Sequence, residues 1–371
     1  MSGGAHRAML PRMNPVLRPI GGPAAWKGAE LEADPSWQVR LDAAAIAELD
    51  AALGALGERD PPRIAATDFP LPTLGALLRG VGDQLETGRG VVRIAGLPVA
   101  RWSGAALRRA FWGIAAHLGT PLWQNTTGEF LGEVKDETGT GAAVTGTGAG
   151  PVPSARARSR STGPLRFHTD KCDVLALCCA SNGIAGGVSR IVSSVAIHDA
   201  MADEAPDLLA TLYENFWRMR PADEEGEQGA ARLFVMPVFA RGPDLDGRGG
   251  DFTSQYSRTY VEMAHAEPGV PPLTALQVAA MDKLADLADR LCFEAPFEPG
   301  QIQLMNQHDT YHGRTAYADD AAAGARRNLL RIWLSVPQSR ALPELCAVQW
   351  GSTAPGALRG GAIPGRSALA A

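Results

Sequence analysis

The chain has 371 residues, 35 of them lysine or arginine and 40 aspartate or glutamate, so its formal net charge is −5 at pH 7. Nucleic-acid-binding proteins neutralise phosphates with a surplus of basic residues, which this sequence lacks, so we expect no nucleic-acid partner. Hydrophobic residues make up 45% of the chain, enough for a globular core, while no apolar run approaches the roughly 18 residues that span a bilayer.

The first 25 residues scatter arginines among glycine and proline and contain no continuous apolar stretch of the kind found in secretory signals. We expect residues 1–25 to form a loose arm of a cytoplasmic protein that has no membrane partner. A single domain is expected over 26–345, followed by a C-terminal tail over 346–371. At the start of this domain, sequence periodicity predicts helices over 41–56, 72–85 and 105–118 and a strand over 91–95.

Residues 138–163 consist almost entirely of glycine, alanine, threonine, serine, proline and arginine. Such a stretch buries too little apolar area to offset the entropy lost on ordering, which predicts a mobile loop. A loop of this length is usually either a linker between domains or a lid over an active site. Because no second domain of different character follows it, we favour a lid.

Strand patterns dominate the second half of the chain. Apolar and alternating segments predict strands over 174–179, 189–195, 300–305 and 327–336, and helices over 200–216 and 274–291. The five cysteines are an odd number without CxxC spacing, which argues against disulfides and against a thiolate zinc site. We expect free thiols, of which Cys172, Cys178 and Cys179 lie in or beside an apolar segment and serve as small core residues.

The most informative motif is His168-Thr169-Asp170, with His312 far downstream. Residues i and i+2 of an extended segment point to the same face, so the imidazole of His168 and the carboxylate of Asp170 can converge on one metal ion. Two histidines and one carboxylate are the arrangement used for non-haem Fe(II), because they leave three coordination positions open. The alternative is a surface histidine beside a solvated aspartate.

A pair of arginines lies on the last predicted strand. Arg327 and Arg331 are four residues apart, so on a strand they share a face with Leu329 and Trp333. The other face then carries Asn328, Leu330, Ile332 and Leu334. If that other face packs on the core, the arginines line a cavity, where unpaired cations are too costly without an anion. A dicarboxylate ligand would supply the anion. The alternative is ordinary ion pairing on an exposed strand.

Three further groups of residues are weaker candidates. Tyr256, Arg258 and Tyr260 alternate as one face of a strand would, and they are candidates to cover the site. His308 precedes His312 by four residues, a spacing that would pair the two on a helix, but the strand signals around it argue against metal ligation. Gln124 and Asn125 are either substrate contacts or loop amides bonded to the backbone.

Together these motifs resemble those of a known family. The order is His168-Thr169-Asp170, then Gly186-Gly187-Val188-Ser189, then Tyr311-His312-Gly313-Arg314-Thr315, and finally the segment Arg327 to Ser335. This order is similar to that of the taurine dioxygenase and clavaminate synthase-like superfamily of Fe(II)- and 2-oxoglutarate-dependent oxygenases. The resemblance is best over 165–340 and extends weakly to 90–128.

The resemblance implies a mainly β fold with helices (α+β), a distorted double-stranded β-helix or jelly roll with flanking helices, which agrees with the predicted elements. It also implies that His168, Asp170 and His312 bind the iron, while Arg327 binds the distal carboxylate of 2-oxoglutarate. Ser189 occupies a position where the family often has a threonine that bonds the same carboxylate, although Ser193 or Ser194 is an alternative. Arg331 would hold an anionic group of the prime substrate or of the co-substrate.

The implied reaction uses Fe(II), 2-oxoglutarate and O2 and couples oxidative decarboxylation of 2-oxoglutarate to C–H oxidation of a small molecule. We expect hydroxylation, of an amino acid or another carboxylate; desaturation and cyclisation in natural-product biosynthesis are alternatives on the same iron core. The carboxylate of Asp170 argues against halogenation, which needs room for halide. A zinc-dependent hydrolase or lyase and a non-catalytic jelly-roll protein are the remaining alternatives. The resemblance also implies a homo-oligomer.

Overall fold

The structure of the protein is a computed structural model that describes residues 17–138, 159–220, 231–243 and 251–363. Most of the predicted lid, 139–158, lies outside the described residues, as do the first 16 residues of the predicted arm and residues 364–371 of the predicted tail. Every statement below concerns the described part of the chain.

We number the helices and the strands separately, each in chain order. The helices are α1 (Gly28–Ala33), α2 (Ala43–Leu56), α3 (Leu74–Glu86), α4 (Gly104–Leu118), α5 (Ser194–Glu204), α6 (Pro206–Leu212), α7 (Arg258–His265), α8 (Ala275–Leu291) and α9 (Ala347–Trp350). The strands are β1 (Gln38–Arg40), β2 (Val91–Ala95), β3 (Thr120–Pro121), β4 (Leu131–Val134), β5 (Leu165–His168), β6 (Val174–Ser181), β7 (Ala185–Gly186), β8 (Ser189–Ser193), β9 (Phe216–Met219), β10 (Leu233–Met236), β11 (Phe239–Arg241), β12 (Phe252–Ser254), β13 (Phe293–Ala295), β14 (Ile302–Asn306), β15 (Thr310–Arg314), β16 (Tyr317–Ala318) and β17 (Asn328–Ser335).

Two sheets form the centre of the fold. The larger has the order β1-β2-β14-β6-β17-β3, with β4 paired to β17, and the smaller has the order β13-β8-β15-β5. All pairs are antiparallel except β1 with β2. One hydrophobic cluster joins the facing sides of the two sheets, since it contains Leu175 and Leu329 from the larger sheet and Ile191 and Ala295 from the smaller.

Helices cover the outer faces of both sheets. Alternate residues of β17, such as Ile332, turn outward and pack with α2, α3 and α4, while β8 and β15 turn Val192 and Tyr311 toward α5, α6 and α8. Because side chains alternate between the two faces of a strand, the same strand serves both the outer core and the space between the sheets. This arrangement confirms the predicted α+β jelly roll with flanking helices.

The four predicted elements at the start of the domain occur within two residues of their predicted limits. Side-chain caps account for two of the starts: Asp42 accepts from the amide of Ala45 at 2.8 Å, and Ser103 accepts from that of Ala106 at 3.1 Å.

The predicted helix over 200–216 is wrong. Two helices, α5 and α6, meet at Ala205, and Phe216 begins strand β9 instead of ending a helix. The proline ring of residue 206 disfavours helical backbone at the preceding residue, and Ala205 has φ −155° and ψ 64°. The apolar periodicity continues through the break because both helices pack on the same core, so periodicity alone does not reveal it.

Both ends of the described chain pack on the domain. The carboxylate of Asp199 accepts from the amides of Ile20 and Gly21, at 2.6 and 2.8 Å. Near the other end, the fully buried guanidinium of Arg359 donates from Nε to Oδ1 of Asp173 at 2.8 Å. Residues 346–363 therefore contribute to the folded core.

The cysteine prediction is confirmed. All five cysteines are free thiols, and all but Cys292 are buried. Burial raises the pKa of Cys179 and that of Cys346 to about 12, so these thiols stay protonated. No helix in the described ranges has the length and apolar character needed to cross a membrane.

Candidate active site

Strands β5 and β15 bring the three predicted metal-ligating residues together. His168 ends β5 and pairs directly with His312 on β15, and Asp170 follows two residues later. One side-chain ligand atom from each of the three lies within 4.8 Å of the others, and all three residues are buried. The antiparallel pairing of β5 with β15 thus brings His312 from far along the chain to the His168-Thr169-Asp170 motif.

Hydrogen bonds fix how two of these side chains face the site. The Nδ1–H of His168 donates to the carbonyl of Arg166 at 2.9 Å, which leaves Nε2 toward Asp170, 3.8 Å from its Oδ1. The indole N–H of Trp333 donates to Oδ2 of Asp170 at 2.7 Å. The buried Nδ1 of His312 has no hydrogen-bond partner among the described residues.

The charge state of this group suits a divalent metal. Burial lowers the pKa of His168, and burial with the neighbouring His168 lowers that of His312 to about 3. Burial opposes ionisation of Asp170, yet the nearby Arg331 guanidinium, both histidines and the Trp333 bond lower its pKa. Neutral imidazoles and an ionised carboxylate are the forms that bind a metal, and this donor set is the one expected for non-haem Fe(II).

Arg327, the residue directly before β17, lines the same cavity. It is 3% exposed, its Nε and Nη1 atoms have no partner among the described residues, and its guanidinium lies 5.2 Å from the ring centroid of Tyr317. Burial, reinforced by nearby Arg314, lowers its pKa to about 10. A buried cation without an anionic partner is costly, so the site fits an anionic ligand.

The glycine turn before β8 makes room for this guanidinium. A Cβ atom on Gly187 would lie 2.7 Å from Nε of Arg327, and the φ of +68° at this residue favours glycine as well. Contact with the arginine thus explains the second glycine of the Gly186-Gly187 motif, whereas a Cβ atom on Gly186 would lie 2.1 Å from the backbone carbonyl oxygen of Ala316.

Ser189, the first residue of β8, lines the same cavity and is 4% exposed. Its Oγ accepts from Nε2 of Gln303 at 3.3 Å, so its own proton is available to a ligand. The alternatives lie elsewhere: Ser193 caps α5 by accepting from the amide of Ala196 at 2.8 Å, and Ser194 donates to the carbonyl of His308 at 3.4 Å. Neither is among the residues that line the cavity.

Arg331 also faces the cavity, together with Leu329 and Trp333, as the face assignment predicts. Its Nε donates to Oε1 of Gln124 at 2.7 Å, and its Nη1 lies 3.5 Å from Oδ2 of Asp170. Gln124 in turn donates to the backbone carbonyls of Phe130 and Arg331, each at 2.8 Å, so it orients Arg331.

The cavity holds about 1140 Å³ of empty space, including its opening to solvent. Its described walls carry six basic residues but one carboxylate, that of Asp170; the basic residues are Lys171, Arg218, Arg220, Arg314, Arg327 and Arg331. This imbalance favours anionic small molecules over neutral or cationic ones.

Sequence reasoning missed several of these contacts. Gln303 and Arg218 have no local motif. Only the tertiary structure brings Gln303 to Ser189 and places Arg218 in the cavity wall. The predicted strand face of Tyr256, Arg258 and Tyr260 is wrong, since Arg258 begins helix α7 and pairs with Glu262. The two tyrosines nevertheless line the cavity.

His308 does not join the three clustered residues. It is fully buried, its Nε2 lies 3.0 Å from Oδ1 of Asp173, and its ring stacks on that of Trp350 with 4.8 Å between centroids. The sequence argument against its being a ligand agrees with this position.

Two named proteins are similar to the chain in sequence. "FR-33289 synthase" of Streptomyces rubellomurinus (strain ATCC 31215) is 28% identical over 354 residues, covering 91% of this chain and 97% of that protein. "Taurine hydroxylase-like protein SAT17" of Stachybotrys chartarum (strain CBS 109288 / IBT 7711) is 26% identical over 318 residues, covering 83% and 77%.

Solved structures share the fold. Asparagine oxygenase in complex with Fe(II), 2S,3S-3-hydroxyasparagine and succinate superposes with a TM-score of 0.58 at 16% identity, covering 81% of this chain and 94% of that one. The non-heme iron oxygenase OrfP in complex with Fe and alpha-ketoglutaric acid gives a TM-score of 0.56 at 17% identity, covering 80% and 94%.

The family described as "Taurine catabolism dioxygenase TauD, TfdA family" matches residues 56–333, about three quarters of the chain. That range contains all of the clustered metal-ligating candidates as well as Arg327 and Arg331. The chain belongs to this family and is an Fe(II)- and 2-oxoglutarate-dependent dioxygenase.

Proposed function

We propose that His168, Asp170 and His312 hold the Fe(II), and that Arg327 and Ser189 bind the distal carboxylate of 2-oxoglutarate, in an enzyme that hydroxylates a small molecule. When bound, iron, 2-oxoglutarate and O2 together supply the oxidant for a C–H bond, with succinate and CO2 as co-products. The observation that carries the proposal is the buried Arg327 guanidinium, whose Nε and Nη1 have no partner in the described part of the chain, in the cavity that also contains the three clustered donors.

The protein's own residues hold the reactants in place. Trp333 and Arg331 keep the Asp170 carboxylate ionised and oriented, because both lie against its Oδ2. Arg327 offers two unpaired guanidinium nitrogens, which suits the planar geometry of a carboxylate. Ser189 adds a hydroxyl donor because its acceptor side is occupied by Gln303.

For the prime substrate we propose an amino acid or another carboxylate. The excess of basic residues around the cavity supports an anionic group, and the structurally similar oxygenases are described with hydroxyasparagine and hydroxyarginine bound. Hydroxylation is the simplest outcome of the C–H oxidation, and analysis of the product by mass distinguishes it from desaturation or cyclisation.

We further propose that the enzyme works in the cytoplasm on small molecules and not on nucleic acid. All five cysteines are free thiols, as is usual in a reducing compartment, and the net charge of −5 disfavours binding to a polyanion. Fractionation of the producing cells tests the compartment directly.

The first experiment is an anaerobic titration of the metal-free protein with Fe(II) and 2-oxoglutarate, monitored by the visible metal-to-ligand charge-transfer band. We expect a band in the wild type, none in His168→Ala, and at least a tenfold higher requirement for 2-oxoglutarate in Arg327→Ala, since hydrogen bonds to charged groups contribute about 1.5–3 kcal/mol each. Arg326→Ala is the matched control, because Arg326 is adjacent but exposed.

A well-folded wild type without the band would contradict the proposal and favour the zinc-dependent or non-catalytic alternatives. A band that is unaffected by Arg327→Ala would retain the iron assignment but move the carboxylate site elsewhere.

A further inference from the structure

One wall of the cavity is not used by the proposed sites for iron and 2-oxoglutarate. Arg218 and Arg220 lie on and just after strand β9, and they face the cavity together with Gln255, Ser257 and Gln349. We call these five residues the β9 wall. They come from three separate parts of the chain, so no single segment of the sequence displays them together.

Arg218 is the most informative member of the β9 wall. It is 4% exposed, and its Nε and Nη2 donate to the backbone carbonyls of Met236 and Pro237, at 3.2 and 2.7 Å. Among the described residues no carboxylate pairs with it. Burial lowers its pKa to about 10, yet it remains a cation at neutral pH. Two backbone carbonyls hold it in place without neutralising it.

The other members of the β9 wall add unsatisfied polar groups. Within the described residues, the buried Oε1 atoms of Gln255 and Gln349 and the Oγ of Ser257 have no hydrogen-bond partner. Buried polar atoms are nearly always bonded, so three of them in the same cavity wall as an arginine without a carboxylate partner among the described residues indicate a site for a polar ligand. Serine hydroxyls donate, and the amides offer both donors and acceptors.

The β9 wall lies within reach of the metal site. Ser257 bridges to His168 in antiparallel register, and the amide of Thr169 donates to the carbonyl of Tyr256 at 2.9 Å. Within the β9 wall, Nη2 of Arg220 donates to the backbone carbonyl of Val348, the residue before Gln349. A small molecule held at the β9 wall can therefore place a carbon near the three metal-ligating candidates.

We propose that the β9 wall is a second anion site, distinct from Arg327 and Arg331, which binds a carboxylate or phosphoryl group of the prime substrate. The inference rests on the proposed function, since it takes the co-substrate to occupy the Arg327 side. It gives the substrate class as an acid whose oxyanion lies beside Arg218 and which carries a hydrogen-bond donor for the glutamine oxygens.

The test uses the enzyme loaded with Fe(II) and saturating 2-oxoglutarate under anaerobic conditions. The midpoint temperature of unfolding is measured at increasing concentrations of inorganic phosphate, acetate or acetamide, at constant ionic strength. A ligand that binds the folded state raises this midpoint. We expect phosphate, acetate or both to stabilise the protein and acetamide, the neutral counterpart of acetate, to have no effect. Which anion acts identifies the phosphoryl or the carboxylate class.

Two variants localise the effect. Arg218→Gln removes the cation, and Gln349→Glu places a negative charge in the β9 wall while leaving the two backbone bonds of Arg218 intact. We expect each to weaken the apparent anion affinity at least tenfold. Arg232→Gln and Gln338→Glu carry the same charge changes at exposed positions and should leave it within twofold.

Equal stabilisation of Gln349→Glu and wild type overturns the inference, because an anion bound to the metal or at Arg327 would not respond to this residue. Absence of stabilisation by either anion also overturns it, provided that 2-oxoglutarate still stabilises the iron-loaded protein. If 2-oxoglutarate has no effect either, the proposed function fails first, so the two failures are distinguishable.

Discussion

At the scale of single residues, the bond from Trp333 to Asp170 is the clearest support for the metal site. The indole N–H lies 2.7 Å from Oδ2 and leaves Oδ1 toward His168. Groups that orient metal ligands typically change metal affinity by about 10–100-fold when removed. We predict that Trp333→Phe lowers Fe(II) affinity at least tenfold, measured by anaerobic titration. Trp102→Phe, which removes a similar bond to Asp50 far from the site, should leave the affinity unchanged.

A hydrogen-bonded chain from Arg93 through Gln303 orients Ser189. Arg93 donates to Oε1 of Gln303 at 2.6 Å, which turns Nε2 of the amide toward Ser189. The carboxylate introduced by Gln303→Glu would accept a hydrogen bond from the Ser189 hydroxyl, which would then no longer donate to the ligand. We predict that this variant raises the Kd for 2-oxoglutarate about fivefold to tenfold, in line with the loss of one hydrogen bond.

The matched test for Gln303 is a double-mutant cycle. In a Ser189→Ala background, Gln303→Glu should have no additional effect on the Kd, because the hydroxyl through which it acts is gone. An equal increase in both backgrounds would show that Gln303 acts by another route.

At the scale of elements, glycines in two helices differ in what surrounds them. A Cβ atom on Gly113 of α4 would lie 2.3 Å from Cδ1 of the fully buried Phe69, whereas one on Gly54 of α2 would meet no atom within 4 Å. We predict that Gly113→Ala lowers the free energy of unfolding by about 1–3 kcal/mol. Gly54→Ala should raise it by about 0.5–1 kcal/mol, since alanine restricts the unfolded chain.

Chemical denaturation of both variants measures these changes. If Gly113→Ala is as stable as wild type, the close packing of α4 on Phe69 is incorrect. The comparison is internally controlled because each substitution adds one methyl group to a helix.

At the scale of the whole molecule, a buried charge cluster ties α3 to the segment after β17. Glu86 accepts from Nε of Arg340 at 2.7 Å, and the same guanidinium donates twice to Asp309, each time at 2.7 Å. Burial raises the pKa of Glu86 to about 7, against the opposing effect of Arg340. One arginine between two carboxylates does not offset the cost of burying both as anions.

The pH dependence follows from that shift. Between pH 4.5 and 7 the folded state retains a proton on Glu86 that the unfolded state has released, so this group lowers the free energy of unfolding as pH rises through that window. The full effect is on the order of 3 kcal/mol at 1.36 kcal/mol per pH unit. We predict that Glu86→Gln matches wild type near pH 4.5 and is more stable at pH 8, measured by denaturation at both values.

The difference between wild type and variant isolates Glu86 from all other titrating groups. A constant difference across the pH range would contradict the assignment.

The chain alone was sufficient to predict most of the regular elements and to single out the candidate residues of the site. Helices such as α2 and α4 have local periodicity and caps, and HxD spacing places His168 and Asp170 on one face, because both signals depend on neighbours along the chain. The alternation on β17 likewise predicted that Arg331 faces inward and Ile332 outward.

Tertiary structure alone decided which distant residues meet. Pairing of β15 with β5 brings His312 beside His168, the Gly187 turn opens space for Arg327, and Gln303 reaches Ser189 from another sheet. The β9 wall joins three separate segments. These contacts depend on the order of the strands in the sheets and on which buried charges lack a partner. The spacing of residues along the chain determines neither, so the contacts become visible only in the folded structure.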